Sequence, residues 1–147
     1  MKIVKVIQWD MGHRVLNHRS ICKGLHGHRY KAEICIEGAL NTDPGCSEEG
    51  MVIDFADIKK TAQKFIQEKL DHAFMVWNED QELIEFFNNS KGHKAVIVPF
   101  TPTAENVAAY IFQKLRHEFI DIFKTGLHLH SIKLWETPSS YALYEES

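Results

Sequence analysis

Apolar positions along this chain switch between two kinds of repeat. Residues 3–9 and 28–37 are rich in Val, Ile and aromatic side chains with partial alternation, which predicts two strands. Gly38 to Gly50 carries Asn41, Pro44 and Gly45 in a polar setting and reads as a loop, and Met51-Val52-Ile53 follows as a short third apolar segment. Asp54 stands before Phe55-Ala56-Asp57 as an N-cap with an acidic residue three positions on. From there Ile58, Ala62, Phe65, Ile66 and Leu70 recur at helical spacing, with Lys59, Lys60, Gln63, Lys64 and Glu68 opposite them. A helix is therefore expected to run to about Leu70-Asp71-His72.

Asn78 to Phe87 has room for a short second helix, and Asn88 to Gly92 breaks the pattern before the apolar run Ala95 to Pro99, an expected strand. Thr103, after Pro102, is a good N-cap for a longer helix with Val107, Ile111, Leu115 and Phe119 as its buried stripe and Glu105 in its first turn. Gly126 punctuates, Leu127 to Trp135 alternates as a strand, and Thr137-Pro138-Ser139-Ser140 turns the chain into a last apolar stretch, Tyr141 to Tyr144. Strands separated by helices without strict alternation indicate an α+β domain with an antiparallel sheet and helices on one face.

A length of 147 residues with 44% hydrophobic content suits one domain, residues 1–147, whose core folds without disulfide staples. The net charge of -3, with no Lys/Arg run longer than a pair, gives no electrostatic footprint for nucleic acid or an anionic membrane. Residues 1–10 are too short and too interrupted by polar groups for a signal segment, and no long apolar run follows. Three cysteines, Cys22, Cys35 and Cys46, are an odd number in unlike settings, which favours a reducing compartment and a cytoplasmic protein.

The chemistry concentrates in the first third of the chain. Of nine histidines, His13, His18, His26 and His28 lie near Cys22. If residues 26–36 form a strand, alternation puts His26 and His28 on one face at a separation one zinc ion spans, and Gly27 removes a side chain from the other face. His13 ends the first strand segment, which can pair beside them, and so supplies a third ligand. Three imidazoles with an open position make a catalytic zinc arrangement, and a thiol close to the dication favours its thiolate. The alternatives are surface strand histidines, or a structural site closed by Cys22 as a fourth ligand.

Other candidates carry less weight alone. Asp71-His72 at a helix end is a proton relay if a substrate is placed against it, and otherwise serves the helix dipole or solvent. Glu136, on a largely apolar strand, must be paired or do work, and two N–H donors of a guanine-like ring would satisfy it. His128 and His130 form a second His-x-His pair, expected to share a face with Ile132, Leu134 and Glu136 and to be packed or interfacial rather than ligands. His93 and His117 read as surface positions. His-Glu-x-x-His and Pro-Cys-x-x-Cys are both absent, which argues against the zinc hydrolases and deaminases.

Taken in order, Gly12-His13-Arg14-Val15, Cys22-x-x-x-His26-Gly27-His28, Gly50-Met51-Val52-Ile53-Asp54-Phe55, Leu70-Asp71-His72, Pro102-Thr103-Ala104-Glu105-Asn106 and Trp135-Glu136-Thr137 resemble the 6-pyruvoyl-tetrahydropterin synthase / 6-carboxy-tetrahydropterin synthase family. The resemblance spans most of the chain. It implies the tunnelling fold (T-fold), with an antiparallel four-stranded sheet and two main helices packed on one face. It implies zinc on His13, His26 and His28, Cys22 as catalytic thiol with Asp71 and His72 as proton-transfer partners, and Glu136, Thr137 and Glu105 at the substrate.

The three residues between Cys22 and His26 resemble the bacterial carboxy enzymes of queuosine and 7-deazapurine synthesis; the pyruvoyl enzymes tend to have a longer insertion there. The implied reaction converts 7,8-dihydroneopterin triphosphate to 6-carboxy-5,6,7,8-tetrahydropterin with release of acetaldehyde and triphosphate. The alternatives are a 6-pyruvoyl-tetrahydropterin synthase, or a zinc- or pterin-binding homologue without turnover. Arg14, Arg19, Lys23 and Arg29 are the nearby cations available to the triphosphate. Family members form hexamers with sites shared between subunits, so a homohexamer is the implied assembly. Trp9-Asp10-Met11-Gly12 departs from the small residues usual before the first zinc histidine.

Overall fold

The structure, a computed structural model, describes residues 1–123 and 126–145. Strands β1 (Lys2–His13), β2 (His26–Glu37), β3 (Ala73–Trp77), β4 (Ala95–Val98), β5 (His128–Thr137) and β6 (Ser140–Glu145) form one sheet in the order β4-β3-β1-β2-β5-β6. Helices α1 (Phe55–Phe65), α2 (Gln81–Asn89) and α3 (Ala104–Glu118) complete the fold. The expected antiparallel four-stranded sheet is present as β1-β2-β5-β6, and it is extended by two further strands, with β3 parallel to β1 and β4 parallel to β3. β4 is the strand expected over Ala95 to Pro99. β3 was not anticipated, because Ala-Phe-Met-Val-Trp shows no alternation: Ala73, Met75 and Val76 are all buried.

β1 and β2 divide by face, the buried Cys35 on the outward side being the exception. Ile7, Trp9, Met11 and His13 of β1 and Tyr30, Ala32, Ile34 and Ile36 of β2 point inward, while Val4, Val6 and Asp10 are exposed on the other side. Against the inner face pack α1 and α3, the two main helices. Asp54 caps α1 by accepting from the Ala56 N–H, and Thr103 caps α3 by accepting from the Asn106 N–H, as the sequence signals predict. Val107, Ile111, Leu115 and Phe119 are fully buried, and each such side chain contributes about 1.5–3 kcal/mol of transfer free energy.

After Phe65 the helix widens over Ile66–Leu70, closing with the Asp71 N–H donating to the Ile66 carbonyl. Met51-Val52-Ile53 forms no strand; its Val52 is buried against the core from a loop. The short α2 buries only Leu83 and is tied to the end of β1 by Arg14, whose guanidinium donates two 2.6 Å hydrogen bonds to the Asp80 carboxylate and one of 2.8 Å to Glu82.

Candidate active site

Three imidazoles converge at one end of the β1–β2 ladder. His13 lies directly opposite His26, Met11 opposite His28, and the ring centroids are 4.5–5.2 Å apart. One ligand atom from each falls within 4.8 Å of the others. Close backbone approach on the opposite face requires glycine: a Cβ on Gly12 would sit 2.4 Å from the Phe74 ring, and one on Gly27 would meet the Met11 carbonyl at 3.0 Å.

Two of the three rings are oriented by main-chain carbonyls. His13 Nδ1 lies 2.6 Å from the Pro102 oxygen and His26 Nδ1 lies 2.8 Å from the Gly24 oxygen. An Nδ1–H donated to each carbonyl leaves the Nε2 lone pair for a metal, the usual support of a ligating histidine. His13 Nε2 is buried and has no hydrogen-bond partner, a cost that a bound cation removes. Burial lowers the His13 pKa, opposed by the Pro102 hydrogen bond and the Glu136 charge, and burial also lowers that of His28. Both shifts favour the unprotonated form that a metal needs.

Cys22 and Glu136 join this centre. A cavity of about 260 Å³ is lined by His13, Cys22, His26, Glu105 and Glu136, among others. Cys22 sits half-buried in the single turn Ile21–Lys23, and the Val15 N–H donates to its carbonyl at 2.8 Å, which fixes the loop across the site. The thiol is free. Glu136 reaches the cavity through an irregularity in strand pairing: Trp135 pairs with Tyr141 and Thr137 with Ser140, so Glu136 is the extra residue of a bulge. Bulges beside sites commonly re-aim a side chain in this way. Its carboxylate lies 3.6 Å from His13 Nε2. Thr137, by contrast, spends its hydroxyl in the turn, accepting from the Ser139 N–H at 3.3 Å, and does not line the cavity.

Asp71 and His72 are held elsewhere. Asp71 Oδ1 lies 3.0 Å from His72 Nδ1 and also accepts from the Asp10 N–H. His72 lines a cavity with Asp10, Gly12, Gly27 and Arg29 of the outward face of the β1–β2 ribbon, and His28 and Met11 border the same cavity. His72 adopts φ 57, uncommon for a side-chain-bearing residue, and its ring is 79% exposed. Within one chain, therefore, His72 and Cys22 border different cavities, the first shared with His28 and the second with His13 and His26.

Tyr30 was not singled out from sequence. It continues the His26, His28 alternation inward, is fully buried, and its hydroxyl faces Glu136 at the margin of hydrogen-bonding geometry, near enough to feel the charge but unsatisfied. Desolvation first, then Glu136, raises its pKa well above the ordinary phenol value. The period-two pattern through Tyr30 was the available signal. Of the nearby cations, Arg14 is committed to Asp80 and Glu82, and Arg29 donates to Asp10 at 2.6 Å. Arg19 and Lys23 are exposed beside Cys22, and no ion pair to either occurs among the described residues.

The family model described as 6-pyruvoyl tetrahydropterin synthase matches residues 2–147. The chain belongs to that family. Curated relatives include the 6-carboxy-5,6,7,8-tetrahydropterin synthase of Haemophilus influenzae, 38% identical over 99% of both chains, and that of Rickettsia conorii, 37% identical over 96% of this chain and 97% of its own. Among solved structures, an uncharacterized protein of Wolinella succinogenes superposes with a TM-score of 0.77 at 26% identity, covering all of this chain and 98% of its own. The 6-pyruvoyl tetrahydropterin synthase of Caenorhabditis elegans, at 24% identity and a TM-score of 0.67 over all of this chain and 96% of its own, shares the fold. No helix among the described residues is long and apolar enough to cross a membrane.

Proposed function

We propose that this member of the family is a zinc-dependent 6-carboxy-5,6,7,8-tetrahydropterin synthase acting on 7,8-dihydroneopterin triphosphate, in queuosine and 7-deazapurine biosynthesis. The observation that carries the reading is the convergence of the His13, His26 and His28 imidazoles beside a cavity that His13 and His26 line together with a free thiol and a carboxylate. Curated relatives named for the carboxy product, matched over nearly their full length, favour it over the pyruvoyl product for which the family model is named. His13, His26 and His28 hold the ion, with Pro102 and Gly24 fixing two of the rings. When bound, zinc supplies Lewis acidity that lowers the pKa of a substrate hydroxyl and stabilises negative charge developing there.

The protein's own groups do the remaining work. Glu136 accepts N–H donors of the pterin ring and so sets the side chain toward Cys22. Glu105, at the α3 start, borders that ring, and Thr137 supports it at one remove by fixing the turn that follows Glu136. Cys22 takes a proton from the substrate side chain as thiolate, and the Asp71-His72 pair returns one, with Asp71 orienting the imidazole. Arg19 and Lys23 are the cations left for the triphosphate.

Because His72 and Cys22 line different cavities, the reading requires the Asp71-His72 pair to reach Cys22 across a subunit contact. Homohexameric assembly supplies such contacts, and the open outward face with exposed Val4, Val6, Tyr141 and Leu143 suits burial between copies. Residues 1–147 act as one domain in a cytoplasmic protein, supported by one continuous sheet and free thiols at Cys22, Cys35 and Cys46. Mass analysis of the pterin product from zinc-loaded protein tests the assignment: a 6-carboxy product supports it, and a 6-pyruvoyl product or unreacted substrate refutes it.

A further inference from the structure

The outward face of the sheet carries a second convergence of metal-type ligands, at the other end of the β1–β2 ladder. His13 opposite His26 closes one end of that ladder and Lys2 opposite Glu37 closes the other, eleven residues and roughly 35 Å away. Glu37 lies directly across from His128 on β5. The β2–β5 register then shifts: Ile36 pairs with Leu129 and Cys35 with Ser131, so His130 is the extra residue of a bulge.

That bulge changes which side chains meet. Uninterrupted alternation would have put His128 and His130 on the face of Ile132 and Leu134. Instead Leu129 joins those residues in the core, and both imidazoles turn outward to Glu37. Glu37 Oε2 lies 3.4 Å from His128 Nε2 and 3.2 Å from His130 Nδ1, and the three ligand atoms all lie within 4.8 Å of one another. Ligands bonded at about 2.0–2.1 Å around a tetrahedral ion are separated by about 3.3–3.4 Å, so the two contacts already have the edge lengths of a coordination polyhedron.

We propose that Glu37, His128 and His130 form a second metal site, for a divalent ion of the zinc class, separate from the His13 centre. Coordination through His130 Nδ1 places that ring's proton on Nε2, and Glu145 Oε1, 3.6 Å away, needs only a small side-chain movement to accept it and orient the ligating ring. Lys2, whose ammonium now lies 2.7 Å from the same Nε2, is exposed and free to swing into solvent. The site takes two imidazoles and one carboxylate, a donor set suited to zinc, with room for water as the remaining ligand.

The test counts ions on the full-length protein. After equilibration with Zn2+ and desalting, the native chain should retain two zinc ions by elemental analysis, and the pair His128→Gln/His130→Gln should retain one. The pair His26→Gln/His28→Gln should also retain one, held by the new site, and Co2+ in that background should give a tetrahedral visible spectrum. Adding Glu37→Gln, a half-buried, near-isosteric change outside the core, should weaken that Co2+ binding on the order of tenfold or more. A native chain that retains a single ion, lost entirely on His26→Gln/His28→Gln, overturns the proposal. So does a second ion that survives both His128→Gln/His130→Gln and Glu37→Gln. Loss of the first centre alone leaves this site's count unchanged, so its failure and that of the proposed enzyme are read separately.

Discussion

His13 Nε2 and Glu136 Oε1 lie 3.6 Å apart, one at the end of β1 and the other on the bulge near the end of β5. The imidazole is buried with its Nδ1 already engaged by Pro102, so Nε2 is the atom still seeking a partner. The carboxylate at that distance is too far for a strong hydrogen bond and near enough to stabilise positive charge at the imidazoles. The proposed metal centre and pterin anchor are thus set side by side by two strands that are not neighbours in the sheet.

Replacing Glu136 by Gln keeps the shape and removes the charge. Substrate binding should weaken by about 1.5–3 kcal/mol, the worth of charge-assisted hydrogen bonds, while zinc content stays unchanged. The same change removes the second cause of Tyr30's raised pKa, so the phenol should titrate lower than in the native protein yet remain above its ordinary value because burial persists. Steady-state kinetics and ultraviolet pH titration read the two effects.

Acid should release the metal late. Burial holds the His13 and His28 pKa values below 6.5, so zinc retention should persist as pH falls past 6.5 and be lost only through the depressed values. In the metal-free protein the sign is the same. Below 6.5 the unfolded chain binds protons that the folded one does not, so stability rises with pH through this window and falls on acidification. Thermal melting of metal-free protein against pH should show that slope, and His13→Gln should flatten it.

Arg14 and Asp80 provide a stability test away from the chemistry. Asp80 is buried, caps α2, and is held below the ordinary carboxylate range of 3.8 chiefly by its hydrogen bonds from Arg14. A depressed carboxylate contributes stability above its unfolded pKa and loses it as pH falls through the folded value. Asp80→Asn should cost about 3 kcal/mol at neutral pH, since it leaves Arg14 without its main partner, and lose much of that difference in acid. Denaturant titration at both pH values measures it.

Cys22→Ala should abolish turnover and leave zinc bound, because the three histidines and their carbonyl supports do not involve the thiol. Loss of zinc in that variant would make Cys22 a structural ligand instead. His72→Ala should be inactive too, and mixing the two inactive proteins after dissociation and reassembly should restore part of the activity if the Asp71-His72 pair serves a neighbour's Cys22. Full absence of complementation would place the pair and Cys22 in the same subunit's site, and an active His72→Ala would place the pair outside the reaction.

Local pattern carried most of the fold. The α1 and α3 stripes, their Asp54 and Thr103 caps and the pairing of His13 with the His26-Gly27-His28 strand were legible, because each rests on periodicity or capping within a few residues. β3 was not, since a strand buried without alternation resembles any short apolar run. The two bulges in β5 were equally hidden: they depend on which partner residues sit opposite, and they decide that Glu136 enters the cavity while His128 and His130 turn to Glu37. The separation of Asp71-His72 from Cys22 is likewise a property of the fold, because alternation assigns faces only within a strand.

The most direct test follows both products of the reaction. Zinc-loaded protein given 7,8-dihydroneopterin triphosphate should release acetaldehyde and triphosphate in equal amounts, and Cys22→Ala should release neither. Triphosphate released without acetaldehyde would contradict the account and assign the pyruvoyl reaction to the same site.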